Sequence, residues 1–411
     1  MNLESISSIG SLSLLPVRNR WTLHSYYSLC PYAPDNSGRI LAAGADLKSR
    51  VAEVLILSPN GTILDHFGAV PTTDSFWHTG LWQSWSPDSR KVYFQTGTLR
   101  HPRTTRFDLL DRSSVTVGGD IEGIPPLGEP ALSCEHGMLY AAGYGSGRYD
   151  ESSSPVPFQA REQHGISRLS FSAEDPPRIL LSTREILERH PMKDRILEED
   201  RKIKKRLGSH DGLTLMTYCV RWNRRGDRCL FFFGNHCVAK TRGEPRITTV
   251  FTADHHLEEI HMAIDLSFER RGVHWAWQAD NEHLIGYGPS TKSPSQYTLS
   301  EIRYDGTGYR NICDHASGGH PSTCPADHDL IVTDEGIATG GNIVFISRRT
   351  GKTLKKVHLP KFNGETEPPG RNPNRICHHP VFNREGDRIL CNSMPNENAT
   401  LVEIRNLPQI S

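Results

Sequence analysis

The chain has 411 residues, with Lys+Arg and Asp+Glu both at 47, so its formal charge is zero with histidine neutral. That balance excludes a nucleic-acid or anionic-membrane binder held by bulk charge, and no apolar run reaches the roughly 18 residues of a membrane span. Nine cysteines without a CxxC pair read as mostly reduced core thiols. The N-terminus has no basic n-region, and SLSLLPV is short for a signal-peptide core. The expected location is therefore the cytoplasm, or outside the cell if the sequence is that of a mature secreted form.

In chain order, one strand–turn–strand unit recurs seven times. It starts near Tyr26, Leu81, Pro130, Thr217, His274, His320 and His378. Each unit pairs an alternating or small-residue strand with a polar Asp/Asn/Gly turn and an apolar strand, as in LWQSWSPDSRKVYFQTG. A third strand follows most units, among them AEVLILSP, TTRFDLL and TLVEIRN. The spacing, mostly about 45 to 60 residues, is that of propeller blades. The expected fold is an all-β, seven-bladed β-propeller spanning 1–411 as a single domain. Its last unit lacks a fourth strand, and VRNRWTLHSY is expected to supply it and close the ring, removing free sheet edges. Two stacked β-sandwiches are the alternative. The strongly helical, charged stretch at about 184–208 is expected to be a helical insertion on the surface of the ring.

In a meander, the segment before a first strand and the loop after a second strand share one rim. His78 and His101 are thereby brought to one end of the same sheet. The same sorting puts Tyr144, Arg148, Tyr149, Arg161, Tyr218, His274, His320, Cys377, His378 and His379 around one mouth of a central channel, with Trp82 beside them. Histidines opening successive blades at His274, His320 and His379 or His378 make a natural divalent-metal site, with Cys377 as a further ligand. Stacked channel histidines held by hydrogen bonds are the structural alternative. His78, His101, Tyr144 and Arg161 form a second set, suited to proton abstraction beside a carboxylate. Arg148, Tyr149, Tyr218 and Trp82 are the expected substrate contacts.

SWSPDSRKVYFQ and HPVFNREGDRIL resemble the repeats of oligogalacturonate lyases, propellers with a metal at channel histidines. The order His78, His101, Tyr144, Arg161 is similar to the His–His–Tyr–Arg set of short ulvan lyases and rhamnose–glucuronate lyases. The resemblance spans the whole ring. In the C-terminal HxHP pattern of the oligogalacturonate lyases, Cys377 stands in the place of the first histidine and Asn374 where glutamine is expected. Thiolate is a soft ligand, so zinc is favoured over manganese or calcium.

The resemblance implies β-elimination at O4 of a uronic acid, of rhamnosyl-glucuronate type, in an oligo- or polysaccharide. Arg161 and His78 would stabilise the enolate-like transition state, His101 would take the C5 proton, and Tyr144 is the alternative acid. Two other classes stay open. One is a non-catalytic carbohydrate- or protein-binding propeller. The other is a glycoside hydrolase, for which Asp74 and Glu129 are the mouth carboxylates.

Overall fold

Six times along the chain the same hairpin bond recurs. The N–H of Ala33, Ser86, Asn223, Gln278, Cys324 and Asn383 donates to the carbonyl of Arg39, Lys91, Arg228, His283, Leu330 and Arg388 respectively. The polar turns that suggested a repeat build these bonds. Asn383 accepts from the Arg388 N–H at 3.1 Å and donates to Asp387 at 2.6 Å, and Asn223 does the same with Arg228 and Asp227. Three residues after the donor the backbone turns left-handed, at Asn36, Ser89, Gly226, Asn281 and Gly386. Asn and Gly accept that conformation at low cost.

The computed structural model describes all residues except 1–11, 16, 18–19, 47, 73–75, 77, 99–100, 135–160, 173–177, 208–211, 236–242, 338–339, 361–375, 397 and 410–411. Seven antiparallel sheets form the ring of a seven-bladed β-propeller. The chain begins in β1 (Leu12–Leu15), and the first blade follows as β2 (Trp21–Leu23), β3 (Ile40–Asp46), β4 (Val51–Leu57) and β5 (Ile63–Pro71). The second blade is β6 (Ser84–Trp85), β7 (Lys91–Gln95), β8 (Arg103–Asp108) and β9 (Ser114–Gly118). The third has β10 (Ala131–Ser133), β11 (Gly165–Leu169) and β12 (Arg178–Ser182) among the described residues. The fourth is β13 (Met216–Trp222), β14 (Arg228–Gly234), β15 (Thr248–Asp254) and β16 (His261–Asp265). The fifth is β17 (Val273–Trp277), β18 (His283–Pro289), β19 (Tyr297–Arg303) and β20 (Arg310–Asn311). The sixth is β21 (Ser322–Thr323), β22 (Leu330–Ile337), β23 (Gly340–Ser347) and β24 (Thr353–Pro360). The seventh is β25 (Val381–Phe382), β26 (Ile389–Ser393) and β27 (Thr400–Ile404), completed by β1.

The N-terminal strand closes the ring, but a few residues earlier than expected. β1 pairs Leu12 with Ile404 and Leu15 with Leu401. Leu12 and Leu15 are buried, so the apolar LSLL segment makes the closing strand. Trp21–Leu23, expected in that role, is instead the inner strand of the first blade, paired to Ala43–Ala45. It still touches the last blade, where the Thr22 N–H meets the Ala399 carbonyl at 2.9 Å.

The third blade also departs from expectation. Ala131–Ser133, read as an inner strand, pairs directly with β11. The channel side is taken by the segment before it. Gly119 bonds Pro102 beside His101, while Pro126 and Leu127 pack on Gly226, at the turn between β13 and β14. This segment carries Glu122, which is fully buried in its side chain, down the inside of the ring.

The helical insertion is two helices, α1 (Thr183–Arg189) and α2 (Lys193–Leu207), separated at His190–Met192 by Pro191. Ser182 and Glu185 form a capping box on α1. Ile186, Leu187, Ile196 and Ile203 bury into the third and fourth blades, so the pair is packed on the ring while its charged face stays in water. Among the described residues, no helix is long and apolar enough to cross a membrane.

Candidate functional site

Counting back four residues from five of the hairpin donors gives Trp82, Cys219, His274, His320 and His379. The backbone at Trp82, Cys219, His274 and His379 is left-handed, with φ of 55°, 56°, 58° and 46°. In β13 and β17 the pairing register shifts at this point, between Tyr218 and Arg221 and between Val273 and Ala276. A bulge of this kind re-aims a side chain out of the ladder. Left-handed backbone thus re-aims one residue in each of four blades, two of them histidines, and His320 holds the same position in the sixth blade.

The imidazoles meet there. His320 stands between His274 and His379, with ring centroids 4.1 and 4.4 Å away. His78 lies 5.3 Å and His24 6.3 Å from His379. A ligand atom from each of His78, Cys377 and His379 lies within 4.8 Å of the other two. The outer ring nitrogens are tied down. His274 Nδ1 faces the Gly318 and Gly319 carbonyls at 2.8 and 2.9 Å, His379 Nδ1 faces the Ser25 carbonyl at 3.3 Å, and His378 Nδ1 faces the Asn392 carbonyl at 2.8 Å. A carbonyl only accepts, so each Nδ1 carries the proton and Nε2 holds the lone pair. His320 Nδ1 donates to Asp334 at 3.0 Å, the outer-shell contact that orients metal-binding histidines.

Burial pushes the His379 imidazole far below its ordinary value, and its neighbours His320, His78, His24 and His274 push it further. His274 is pushed the same way by burial, then by His320 and Arg221, and burial takes His24 down to about 3. His379, His274 and His24 are therefore neutral imidazoles at neutral pH. Asp334 goes the other way. Burial would raise its carboxyl, but His320 holds it well below the usual carboxylate range.

Tyr26 and Tyr27, on a turn of the first blade, cross the channel at this level. The Tyr26 ring lies 4.8 Å from His379, 5.6 Å from His320 and 5.3 Å from Trp82, and Tyr27 lies 5.1 Å from His320. Behind them Arg221 pairs with Glu122 at 2.6 Å, donates to the Tyr27 hydroxyl at 3.1 Å and lies under both phenol rings. Burial, then Tyr27, pushes the Tyr26 phenol well above its ordinary range against the opposing Arg221 charge, so Tyr26 stays a proton donor.

The sequence-predicted residues divide. His78, Cys377 and His379 come together, His274 and His320 join through His379, and Trp82 lines the same space through Tyr26. His101 lies apart from them in kind: it is exposed, on a turn closed by bonds between Thr98 and His101. Arg161 was expected to meet a substrate carboxylate. It instead bridges to Asp200 of α2 at 2.6 Å and to the Leu213 carbonyl at 3.2 Å, because the folded helix offers a buried carboxylate. Tyr218 is buried and stacked on Phe232 at 5.1 Å, a packing position and not an open contact surface. Tyr144, Arg148, Tyr149, Asn374 and Asp74 lie outside the described residues. His24, Tyr26, Glu122, Arg221 and Asp334 were missed. Placing the first inner strand at Trp21 would have exposed His24 as one more histidine at the head of a blade. Asp334, inside a second strand, carries no local signal.

A divalent cation fits this donor set. His379 Nε2 is buried without a hydrogen-bond partner among the described residues, beside a second imidazole and a thiol. His78, Cys377 and His379 would hold the ion, with His320 and His274 alongside.

No protein-family model matches the chain, and no curated protein matches it. Solved structures do. Oligogalacturonate lyase from Vibrio parahaemolyticus aligns with a TM-score of 0.63 at 12% identity, covering 98% of this chain and 95% of that one. An oligogalacturonate lyase in complex with manganese aligns at 0.64, with 12% identity and the same coverage. Hydrazine synthase from Kuenenia stuttgartiensis aligns at 0.50 with 10% identity, covering 97% of this chain and 100% of that one. The chain shares the seven-bladed propeller fold of the oligogalacturonate lyases along nearly its whole length.

Proposed function

We propose that this protein is a uronate lyase, cleaving the bond at O4 of a uronic acid, of rhamnosyl-glucuronate type, by β-elimination in an oligo- or polysaccharide. The observation that carries the reading is the set of imidazoles converging on His379 inside the channel of this fold. The C5–H of a uronate is a weak acid because the adjacent carboxylate is already charged. Bound at His78, Cys377 and His379, a divalent ion would neutralise that carboxylate. The Cys377 thiol favours zinc, whereas the likeness to a manganese complex favours manganese.

The protein's own groups would do the rest. His101, exposed after the second strand of its blade, takes the C5 proton from a substrate at that mouth. Tyr26, held protonated beside the imidazoles, donates to the leaving O4 oxygen. The carboxylate role assigned to Arg161 passes to the histidine cluster, since Asp200 already engages that guanidinium.

Supporting a lyase over a hydrolase, Glu129 is occupied. It accepts from Tyr93 at 2.5 Å and from Arg106 at 3.0 Å, which leaves it badly placed as a mouth acid. A non-catalytic sugar-binding propeller is the second reading, and His379 Nε2, buried without a hydrogen-bond partner among the described residues, argues against it. Incubation with uronate-containing oligosaccharides decides between them. A lyase creates a C4–C5 double bond conjugated to the carboxylate and hence new ultraviolet absorbance, while a hydrolase or a binder creates none.

A further inference from the structure

At the opposite mouth, where first strands turn into second strands, lies a cavity of 420 Å³. The Tyr27, Glu122 and Arg221 plug is part of its lining, so it backs onto the histidine site through that plug. Trp85, Trp222 and Trp277 also line it, together with Arg224 and Arg384. The indole N–H groups of Trp85 and Trp277 are spent on the Pro31 and Arg221 carbonyls, both at 2.9 Å, which fixes those rings in place.

The two arginines are unlike most others in this chain. Among the described residues neither guanidinium has an ion pair or hydrogen bond, though each is exposed at the cavity and Arg224 feels the Arg384 charge. Glu385, the carboxylate that acts on Arg224, is held by the Asn383 amide at 2.7 Å. Two mutually repelling cations beside a fixed aromatic wall form a ready receptor for an anion. Guanidinium forks match carboxylates in shape, and indole rings suit the C–H face of a sugar. The volume lies within the range of small-molecule sites.

We propose that this cavity is a second binding site, for a sugar acid, with the carboxylate between Arg224 and Arg384 and the ring against the tryptophans. It stands independently of the reaction proposed above.

The test is tryptophan fluorescence of the full chain titrated with glucuronate, glucose and inorganic phosphate. Glucuronate is expected to give a saturable change. The Arg224→Ala/Arg384→Ala variant should weaken it by about tenfold or more, because both charge-assisted bonds are lost. Three results would overturn the proposal. They are a glucose response equal to that of glucuronate, a phosphate response stronger than that of glucuronate, or a double variant that binds glucuronate like the parent.

Discussion

Asp334 grips His320 at two points, accepting its backbone N–H at 2.6 Å and its ring Nδ1 at 3.0 Å. The second strand of the sixth blade thereby orients the imidazole at the head of the first. If the cluster holds a metal, Asp334→Asn should reduce its affinity about 10- to 100-fold, the usual effect of removing such an outer partner. Titration against a chelator, with circular dichroism to check the fold, reads this directly. Unchanged affinity would make the contact purely structural.

His379 is shared by both groupings in the cluster, with His78 and Cys377 on one side and His320 and His274 on the other. His379→Ala should therefore abolish bound metal in elemental analysis. His78→Ala and His320→Ala apportion the rest. Full metal content in His320→Ala would remove His320 from the ligand set and leave the thiol-containing group.

His101→Ala should lower turnover about 10²- to 10⁴-fold while substrate still binds, as expected for a general base. Tyr26→Phe keeps the ring that packs on His379 and Trp82 and removes only the hydroxyl. Its kcat should fall by about 10²-fold with KM nearly unchanged. Full turnover in either variant, on a substrate that gives the unsaturated product, would take that residue out of the mechanism.

Asp200 ties α2 to Arg161 at 2.6 Å, to Lys204 at 3.0 Å and to the Leu213 N–H at 2.7 Å. Burial works to raise its carboxyl, but these partners hold it below the usual range. A depressed carboxyl stabilises the fold above its unfolded value, near about 4, and loses that contribution as pH falls further. Asp200→Asn should cost about 2 kcal/mol at neutral pH. The gap to the parent in denaturant melts should close as the pH drops below about 4. A gap independent of pH would mean that shape, not charge, holds the helix.

Leu15 is 1% exposed and sits in the closing strand opposite Leu401. Leu15→Ala should cost about 2 to 5 kcal/mol in a chemical melt, the range for a buried leucine. A change within error would mean that the ring does not depend on β1.

Polar turns, apolar second strands and their spacing are local properties, and each hairpin makes its own bond wherever the blade sits. For that reason the propeller, its units outside the third blade and the helical insertion were legible in the sequence, as was the gathering of histidines at the heads of blades. The direction of a side chain is not local in this way. Whether His274 or Cys219 faces the axis depends on a bulge that the neighbouring strand imposes. Arg161 met Asp200 because α2 folds back over it, across 39 residues of chain. Tyr26 and His24 entered the site because closure by LSLL shifted the first blade's inner strand to Trp21. The repeat was written in residues that contact their near neighbours, while the candidate site is a meeting of residues from five blades that only the closed ring brings within reach.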